Sequence, residues 1–283
     1  MGRVSHPTAV LPLRPLTFAE LMDAAVALLR GHARVYLPVA LVLAAAEQAV
    51  LYPLRLAAGI NPPWGLPYSD RLGQYWLMLG VGFGTEVTVI ALVGGLTARA
   101  AGPALLGGRL PARRLLDPAG ARVLPVAVVA VVAGAVTAVA ALAGFVPWLF
   151  VYGLLGLCAP AVVIDRLGPG RALLRSMVLA GRAGMRAAWI RLGGYLGWAA
   201  VRVALVLGGL ALISVFLGGV GPGWARLLQL AAVAAVNAVA YATLACLDAV
   251  LHLETRMRTE GLDIAASRAR SRGRPFELAV RAP

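Results

Sequence analysis

Six long apolar stretches recur along the 283-residue chain, a pattern typical of helices that cross a lipid bilayer. Crossing the hydrocarbon core takes about 20 apolar residues, and only helices and closed barrels satisfy their backbone hydrogen bonds there. Apolar residues make up 60% of the chain and charged residues 13%, and the mean hydropathy is +0.83. A soluble domain has about 45–50% apolar and about 25% charged residues. The sequence therefore predicts an all-α, polytopic membrane protein with six transmembrane helices.

The six stretches define a single membrane domain over residues 16–261. The predicted spans are approximately residues 35–57, 75–99, 123–143, 149–164, 187–217 and 225–252. Residues 1–15 are predicted to be an irregular N-terminal segment, whose apolar run is too short and too interrupted by proline for a signal peptide. Residues 262–283 are rich in Arg, Ser and Gly, and their composition predicts a disordered basic tail.

Two further segments have the periodicity of amphipathic helices. The first, residues 17–30, begins with Thr17 and Glu20 at the spacing of a capping box. The second is residues 169–186. Its basic side consists of Arg171, Arg175, Arg182 and Arg186. Helices of this kind lie along the membrane interface, and we expect both on the cytoplasmic side. The arginines either bind anionic lipid headgroups or simply keep the helix at the interface, which is the simpler alternative.

The distribution of arginine predicts the orientation. All 26 Lys and Arg residues of the chain are arginines; with six spans, 22 fall on one side and three on the other, namely Arg55, Arg71 and Arg226. The remaining one, Arg202, falls inside the fifth span. The positive-inside rule assigns the arginine-rich side to the cytoplasm, which places both termini there. Because the arginines recur between apolar stretches, the net charge of +14 does not predict a nucleic-acid partner.

Four strongly polar side chains fall at mid-span depth: Glu47, Glu86, Arg202 and Asn237. A charge at the bilayer centre costs about 2.5–3.5 kcal/mol on insertion scales, so each should face the helix bundle and find a partner. Glu86 and Arg202 lie at similar depth, which predicts an ion pair, with Glu47 as the second choice. Two interpretations stay open: a structural ion pair with Asn237 bonding across helices, or a pathway for a substrate or protons.

No catalytic or metal-binding motif is visible in the sequence. The three histidines are scattered, and Cys158 and Cys246 lie inside apolar stretches at no metal-binding spacing. The chain is therefore interpreted as non-enzymatic, without a metal or a cofactor. Gly80 and Gly84 form a GxxxG motif in the second span, which favours close contact between helices over a specific dimer motif.

Three segments carry a resemblance to a known family: RPLTFAELMDAA at residues 14–25, GPGRALLRS at residues 168–176 with Gly181 and Arg182 following, and LETRMRTEGLD at residues 253–263. In these segments the chain resembles multi-pass bacterial proteins related to the membrane domain found beside glycerophosphoryl diester phosphodiesterases. The resemblance covers nearly the whole chain and implies a membrane component, located in a bacterial plasma membrane. It brings no catalytic residues, and the hydrolase domain is absent from this sequence.

These features together predict a non-enzymatic integral membrane component. We expect a scaffold or accessory subunit that interacts with membrane lipid and has a protein partner or a second copy of itself as candidate partners. The alternative is a secondary transporter or channel that uses Glu47, Glu86 and Arg202. An intramembrane enzyme ranks third, because no nucleophile and base can be named.

Overall fold

The computed structural model describes residues 16–60, 69–104, 110–216 and 222–271. Within these residues all regular secondary structure is helical. The helices are α1 (Phe18–Ala57), α2 (Leu72–Ala104), α3 (Ala112–Leu115), α4 (Pro118–Ala121), α5 (Val123–Ala143), α6 (Phe145–Leu155), α7 (Cys158–Val163), α8 (Pro169–Phe216), α9 (Pro222–Glu260) and α10 (Leu262–Ser271), with a short 3-10 helix at Ser69–Arg71.

Six helical segments of the described chain are long and apolar enough to cross a membrane. They are Phe18–Ala57, Leu72–Ala104, Val123–Ala143, Phe145–Val163, Gly184–Gly209 and Arg226–Glu260. Each contains or overlaps one predicted span, so the prediction of six apolar helices is confirmed. The fourth segment is the least regular, because α6 and α7 are separated by a turn at Gly156 and Leu157.

The first amphipathic segment and the first span form one helix. The predicted capping box is present: Thr17 N donates to Glu20 Oε2 at 2.8 Å and Glu20 N donates to Thr17 Oγ1 at 3.4 Å. The helix continues through a kink at His32, whose φ of −133° is not helical. Leu28 is buried in the bundle and Asp23 is exposed, as the periodicity of residues 17–30 predicts.

The second amphipathic segment is likewise continuous with the span that follows it. α8 begins at Pro169 and runs to Phe216, with Gly184 (φ +67°) and Met185 (φ +60°) in the left-handed region at the junction. This conformation is inexpensive for Gly184, but it is uncommon for a residue with a side chain such as Met185. The chain therefore changes direction locally here without ending the helix.

Helix α2 lies at the centre of the bundle and packs against α1, α5 and α9, while α9 also packs against α8. The contact of α2 with α5 is close at Gly84. A Cβ atom at Gly84 would lie 2.7 Å from the Cβ of Ala138 and 2.8 Å from the carbonyl oxygen of Gly134. The GxxxG motif therefore permits close packing of two helices within the chain, as predicted.

The tail for which disorder is predicted begins, in the described part of the chain, with the ten-residue helix α10, Leu262–Ser271. Gly261, with a φ of +65°, separates it from α9. Because glycine adopts this left-handed conformation easily, it ends α9 and lets a new helix begin. Residues 1–15 and 272–283, for which irregular structure and disorder are predicted, lie outside the described residues.

Candidate intramembrane binding site

A cavity of about 300 Å³ lies between α1, α2, α8 and α9. Its walls combine apolar side chains with a cluster of polar groups: Glu47, Gln48, Arg55, Tyr75, Glu86, Tyr195, Arg202, Asn237 and Tyr241. Glu47 lies ten residues before the end of α1 at Ala57, which is roughly 15 Å at 1.5 Å per residue. The cavity therefore brings the four predicted mid-span residues to one place, within the depth that a bilayer would cover.

The predicted ion pair between α2 and α8 is present. Arg202 Nη1 lies 2.6 Å from Glu86 Oε1, and the Tyr195 hydroxyl donates to Glu86 Oε2 at 3.0 Å. The guanidinium carbon of Arg202 also lies over the rings of Tyr195 and Tyr241, at 5.3 and 5.8 Å from the ring centroids. Cation–π contacts and the carboxylate together compensate this arginine for its separation from water.

Glu47 has a different environment from Glu86. Its carboxylate accepts a hydrogen bond from the Tyr241 hydroxyl at 2.7 Å and one from Thr85 Oγ1 at 3.1 Å. The residue is 4% exposed, and within the described part of the chain no arginine is within ion-pair distance of it. Two hydroxyl donors leave part of the acceptor capacity of a carboxylate unused. Glu47 can therefore accept a cationic group or a proton.

Two further polar groups at the cavity have no hydrogen-bond partner among the described residues. They are both amide atoms of the buried Gln48 and the buried Nη1 atom of Arg55. A buried polar group without a partner costs about 1–3 kcal/mol, so such groups need a reason. Gln48 and Arg55 are seven residues apart, which places them on one face of α1, and both line the cavity.

The sequence analysis missed Gln48 and Arg55 as candidate site residues. Arg55 entered only the count of arginines on each side of the membrane, and Gln48 was not considered beside Glu47. Their spacing of seven residues on one helix was the available signal. Asn237 was predicted to hydrogen-bond across helices; the structure places it in the cavity lining, on α9.

A second buried ion pair lies outside the cavity. Arg191, 2% exposed, donates from Nε to Asp248 Oδ1 at 2.8 Å and from Nη1 to the carbonyl oxygen of Tyr152. Its guanidinium carbon lies 3.8 Å from the centroid of the Tyr152 ring. Arg191 lies in α8 within the candidate span Gly184–Gly209, as the predicted fifth span implies.

The basic side of the second amphipathic segment faces the protein. Arg175 Nη2 lies 2.6 Å from Glu260, Arg182 Nη1 lies 3.4 Å from the same carboxylate, and Arg186 Nη1 lies 2.9 Å from Glu254. Arg171 is exposed. Arg175, Arg182 and Arg186 therefore already pair with carboxylates of the protein. They are less available to lipid headgroups than the sequence pattern indicates. The outward face carries Leu174, Met177 and Val178 instead.

Asp165 joins the loop after α7 to α8 and α9. His252 Nε2 lies 3.2 Å and Arg256 Nη1 2.8 Å from Asp165 Oδ1, and Arg175 Nε lies 3.2 Å from Oδ2. Burial alone would raise the pKa of Asp165, but His252, Arg256 and Arg175 outweigh it and hold the pKa below its ordinary value. This carboxylate is therefore charged, and its ion pairs join parts of the protein to one another.

Glu254 makes a similar connection to the start of α1. It accepts from Arg186 at 2.9 Å, from Arg258, and from the backbone N–H of Leu16 at 3.4 Å. Arg186 Nη2 also donates to the carbonyl oxygen of Leu16 at 2.6 Å. These contacts fix the N-terminal end of α1 against α8 and α9, at the end of the bundle opposite Arg55.

No family model matches the chain, and no curated protein or solved structure matches it either. Within the described residues no group of three or more His, Cys, Asp and Glu side chains is arranged to hold a metal ion, and Cys158 and Cys246 are buried free thiols. The chemistry of the cavity itself therefore identifies it as the candidate site. Among the described residues, the cavity is distinguished by the Glu47 carboxylate, which has no cationic partner, and by the Gln48 and Arg55 atoms, which have no hydrogen-bond partner.

Proposed function

We propose that this protein binds a small organic zwitterion in the cavity and moves it across the membrane as a secondary transporter. The observation that carries this proposal is that one cavity contains both a buried carboxylate without a cationic partner, Glu47, and a buried guanidinium nitrogen without any partner, on Arg55. Intramembrane ionisable groups that face a cavity commonly mark a substrate or ion pathway.

The two groups fit opposite ends of one ligand. Glu47 would receive the cationic group, with the aromatic rings of Phe83 and Tyr241 in the same lining to surround it. Arg55 would receive the anionic group. The two residues are eight positions apart on α1, which is roughly 12 Å along the helix axis before their side chains extend. The amide of Gln48 can donate and accept between them.

The Glu86–Arg202 pair supports the proposal, because Arg202 would otherwise compete with a ligand for Glu47. Arg202 is the nearest mid-span arginine by depth, and Glu86 holds it at 2.6 Å. Since its charge is matched there, Glu47 remains available to a ligand. A ligand that brings both signs of charge would add no net charge to the cavity, and Glu47 and Arg55 would compensate the cost of removing its two charged ends from water.

Thermal unfolding of the purified protein in mild detergent tests binding. We expect the zwitterions glycine betaine, proline and 4-aminobutyrate to include at least one that raises Tm more than choline or acetate does. Stabilisation by a bound ligand follows its concentration relative to Kd, reaching about 2.7 kcal/mol at a hundredfold excess over Kd. Glu47→Gln and Arg55→Gln should each remove the effect.

Matched controls are available on the same helix. Asp23 and Arg30 are exposed on α1, away from the cavity, so Asp23→Asn and Arg30→Gln should keep the ligand response. Uptake of the labelled zwitterion into proteoliposomes then separates transport from binding. The proposal is wrong if none of the three zwitterions stabilises the native chain, or if Glu47→Gln responds as the native chain does.

We further propose that the six apolar helices cross a bacterial plasma membrane with both termini in the cytoplasm, and that residues 17–30 and 169–186 lie at the cytoplasmic interface. The arginine distribution, 22 against three, supports this orientation. The relationship to the membrane proteins associated with phosphodiesterases, a scaffold or accessory role, and a protein or homo-oligomer partner remain predictions from the sequence.

A further inference from the structure

A groove of about 570 Å³ separates the outer parts of α1 and α9, distinct from the central cavity. Its floor is formed by small side chains, Ala45 and Ala49 of α1 and Ala231 and Ala234 of α9. Three of these four alanines are exposed, so the groove is accessible from the surrounding lipid side of the bundle. Small residues at this position create space between two helices that otherwise pack together.

The polarity of the groove changes in steps along its length. At one end Arg226 Nη1 donates to the Tyr52 hydroxyl at 3.1 Å, and no carboxylate among the described residues forms an ion pair with this arginine. Gln48 lies one helical turn further in, four residues before Tyr52, or roughly 6 Å. It is 4% exposed, and both of its amide atoms lack a partner. Beyond Gln48 the groove is lined by Ala and Leu.

We infer that this groove binds one anionic phospholipid from the leaflet on the Arg226 side. The phosphate would lie at Arg226 and Tyr52, an ester carbonyl would accept from the Gln48 amide, and one acyl chain would follow the alanine floor toward Ala45. A phosphate pairs strongly with a guanidinium group through charge-assisted hydrogen bonds. The order of charged, ester and hydrocarbon parts in a glycerophospholipid matches the order of Arg226, Gln48 and alanine in the groove.

A free inorganic phosphate fits this groove less well than a lipid. It would use Arg226 and Tyr52 but would leave the Gln48 amide without a partner and the apolar floor uncovered. Burying hydrocarbon in the groove is favourable relative to water but not relative to a bilayer, so within a bilayer the selectivity must come from the polar end. The site should therefore distinguish headgroups.

This inference goes beyond the proposed transport function and does not depend on it. Gln48 lines both the groove and the central cavity, but Arg226 and Ala231 line the groove alone. Variants at these two positions therefore test the lipid site without touching the proposed solute site. Loss of lipid binding with unchanged zwitterion binding, or the reverse, would separate the two.

Native mass spectrometry of the full chain in mild detergent, titrated with phosphatidylglycerol, tests the site. We expect the native chain to retain one phosphatidylglycerol in preference to diacylglycerol. Arg226→Gln should weaken retention about fivefold, the effect typical of one basic residue facing an anionic lipid. Ala231→Phe, which fills the exposed floor, should abolish it.

The controls are another arginine predicted for the same side and another lipid-facing position. Arg71 is exposed, and Val131 of α5 is 59% exposed. Arg71→Gln and Val131→Phe should retain phosphatidylglycerol as the native chain does. Equal retention by Arg226→Gln and Arg71→Gln, equal retention of diacylglycerol and phosphatidylglycerol, or displacement of the lipid by millimolar inorganic phosphate would each overturn the inference. If Ala231→Phe does not fold, Arg226→Gln still decides it.

Discussion

Most buried ionic side chains in the described part of the bundle have an oppositely charged partner, and the exception is informative. Among the described Asp, Glu and Arg side chains that are buried, Glu47 is the one without an oppositely charged partner. Glu86 and Asp248 hold Arg202 and Arg191, which compensates the cost of burial for both members of each pair. Burial of the Glu47 carboxylate without such a partner carries a cost, and the proposed binding of a cationic group at Glu47 would compensate it.

The Glu86–Arg202 pair should show strong coupling in a double-mutant cycle. Arg202→Leu leaves Glu86 as an unmatched buried charge and should destabilise the protein by about 3–5 kcal/mol, whereas Arg202→Leu with Glu86→Leu should be much less damaging. Thermal unfolding in detergent measures both, with Arg30→Leu at an exposed position of α1 as the control. Equal loss of stability in the single and double variants would contradict a direct pair.

Asp165 should make the protein sensitive to acid. Because its pKa in the folded protein lies below its ordinary value, its contribution to stability is complete above the unfolded pKa of about 3.9 and is lost as the pH falls through the folded pKa. Asp165→Asn should lower stability at pH 7, by about 3–5 kcal/mol, since it removes the buried carboxylate that Arg175, His252 and Arg256 share.

The measurement for Asp165 is Tm from pH 7 down to pH 3. The native chain should lose Tm in the acid range, and Asp165→Asn should start lower and decline less. Asp23→Asn removes an exposed carboxylate on α1 and should follow the native profile. An Asp165→Asn profile parallel to that of the native chain would show that this carboxylate does not titrate as its contacts require.

Counting residues along each span predicts well how deep a side chain lies in the bundle. It predicts poorly which way that side chain points around the helix axis. Glu86 and Arg202 were paired from depth alone, and the structure places them in contact. Gln48 and Arg55 could not be assigned in the same way, because which face of α1 meets the cavity depends on how α2, α8 and α9 pack around it. The depth of a side chain can be read from its own sequence segment. The direction in which it points depends on how several helices pack together.

Among the elements, α2 depends most on its glycines. A Cβ atom at Gly84 would meet Ala138 and Gly134 at 2.7 and 2.8 Å, whereas one at Gly102 would meet nothing within 4 Å. Gly84→Ala should therefore push α2 away from α5 and cost about 1–3 kcal/mol. Gly102→Ala in the same helix should be neutral or stabilising by up to about 1 kcal/mol, because alanine favours the helix. Equal Tm values for the two variants would argue against the close contact.

The boundaries of the long helices show where sequence patterns fail. The capping box at Thr17 predicts the start of α1 correctly, since that signal is local. The separation of residues 17–30 from the first span was predicted from a change in apolar periodicity, yet the helix continues through His32. No strong stop signal lies between the two parts, and a kink redirects the helix without ending it. α10 was missed because a basic composition says little about a helix that follows Gly261.

At the scale of the whole molecule, the two ends of the bundle differ. One end is joined by ion pairs: Asp165, Glu254 and Glu260 connect the start of α1, α8 and α9. The cavity extends toward the other end, where Arg55, Ile60 and Tyr75 line it. A solute pathway in this conformation would be closed by ionic contacts at the first end and would be approached from the second. The positive-inside rule assigns the first end to the cytoplasm.

Topology is the prediction on which this orientation rests. Reporter fusions should report the cytoplasm after Gly120, Arg166 and Arg270, and the opposite side near Tyr68, Pro147 and Gly221. The physical reason is that arginines flanking the spans resist translocation, and 22 of the 26 lie on one side only if six spans are counted. Five or seven spans would mix arginine-rich and arginine-poor segments on both sides. A single fusion site that reproducibly reports the wrong side would therefore contradict both the number of crossings and the assignment of the ionic end to the cytoplasm.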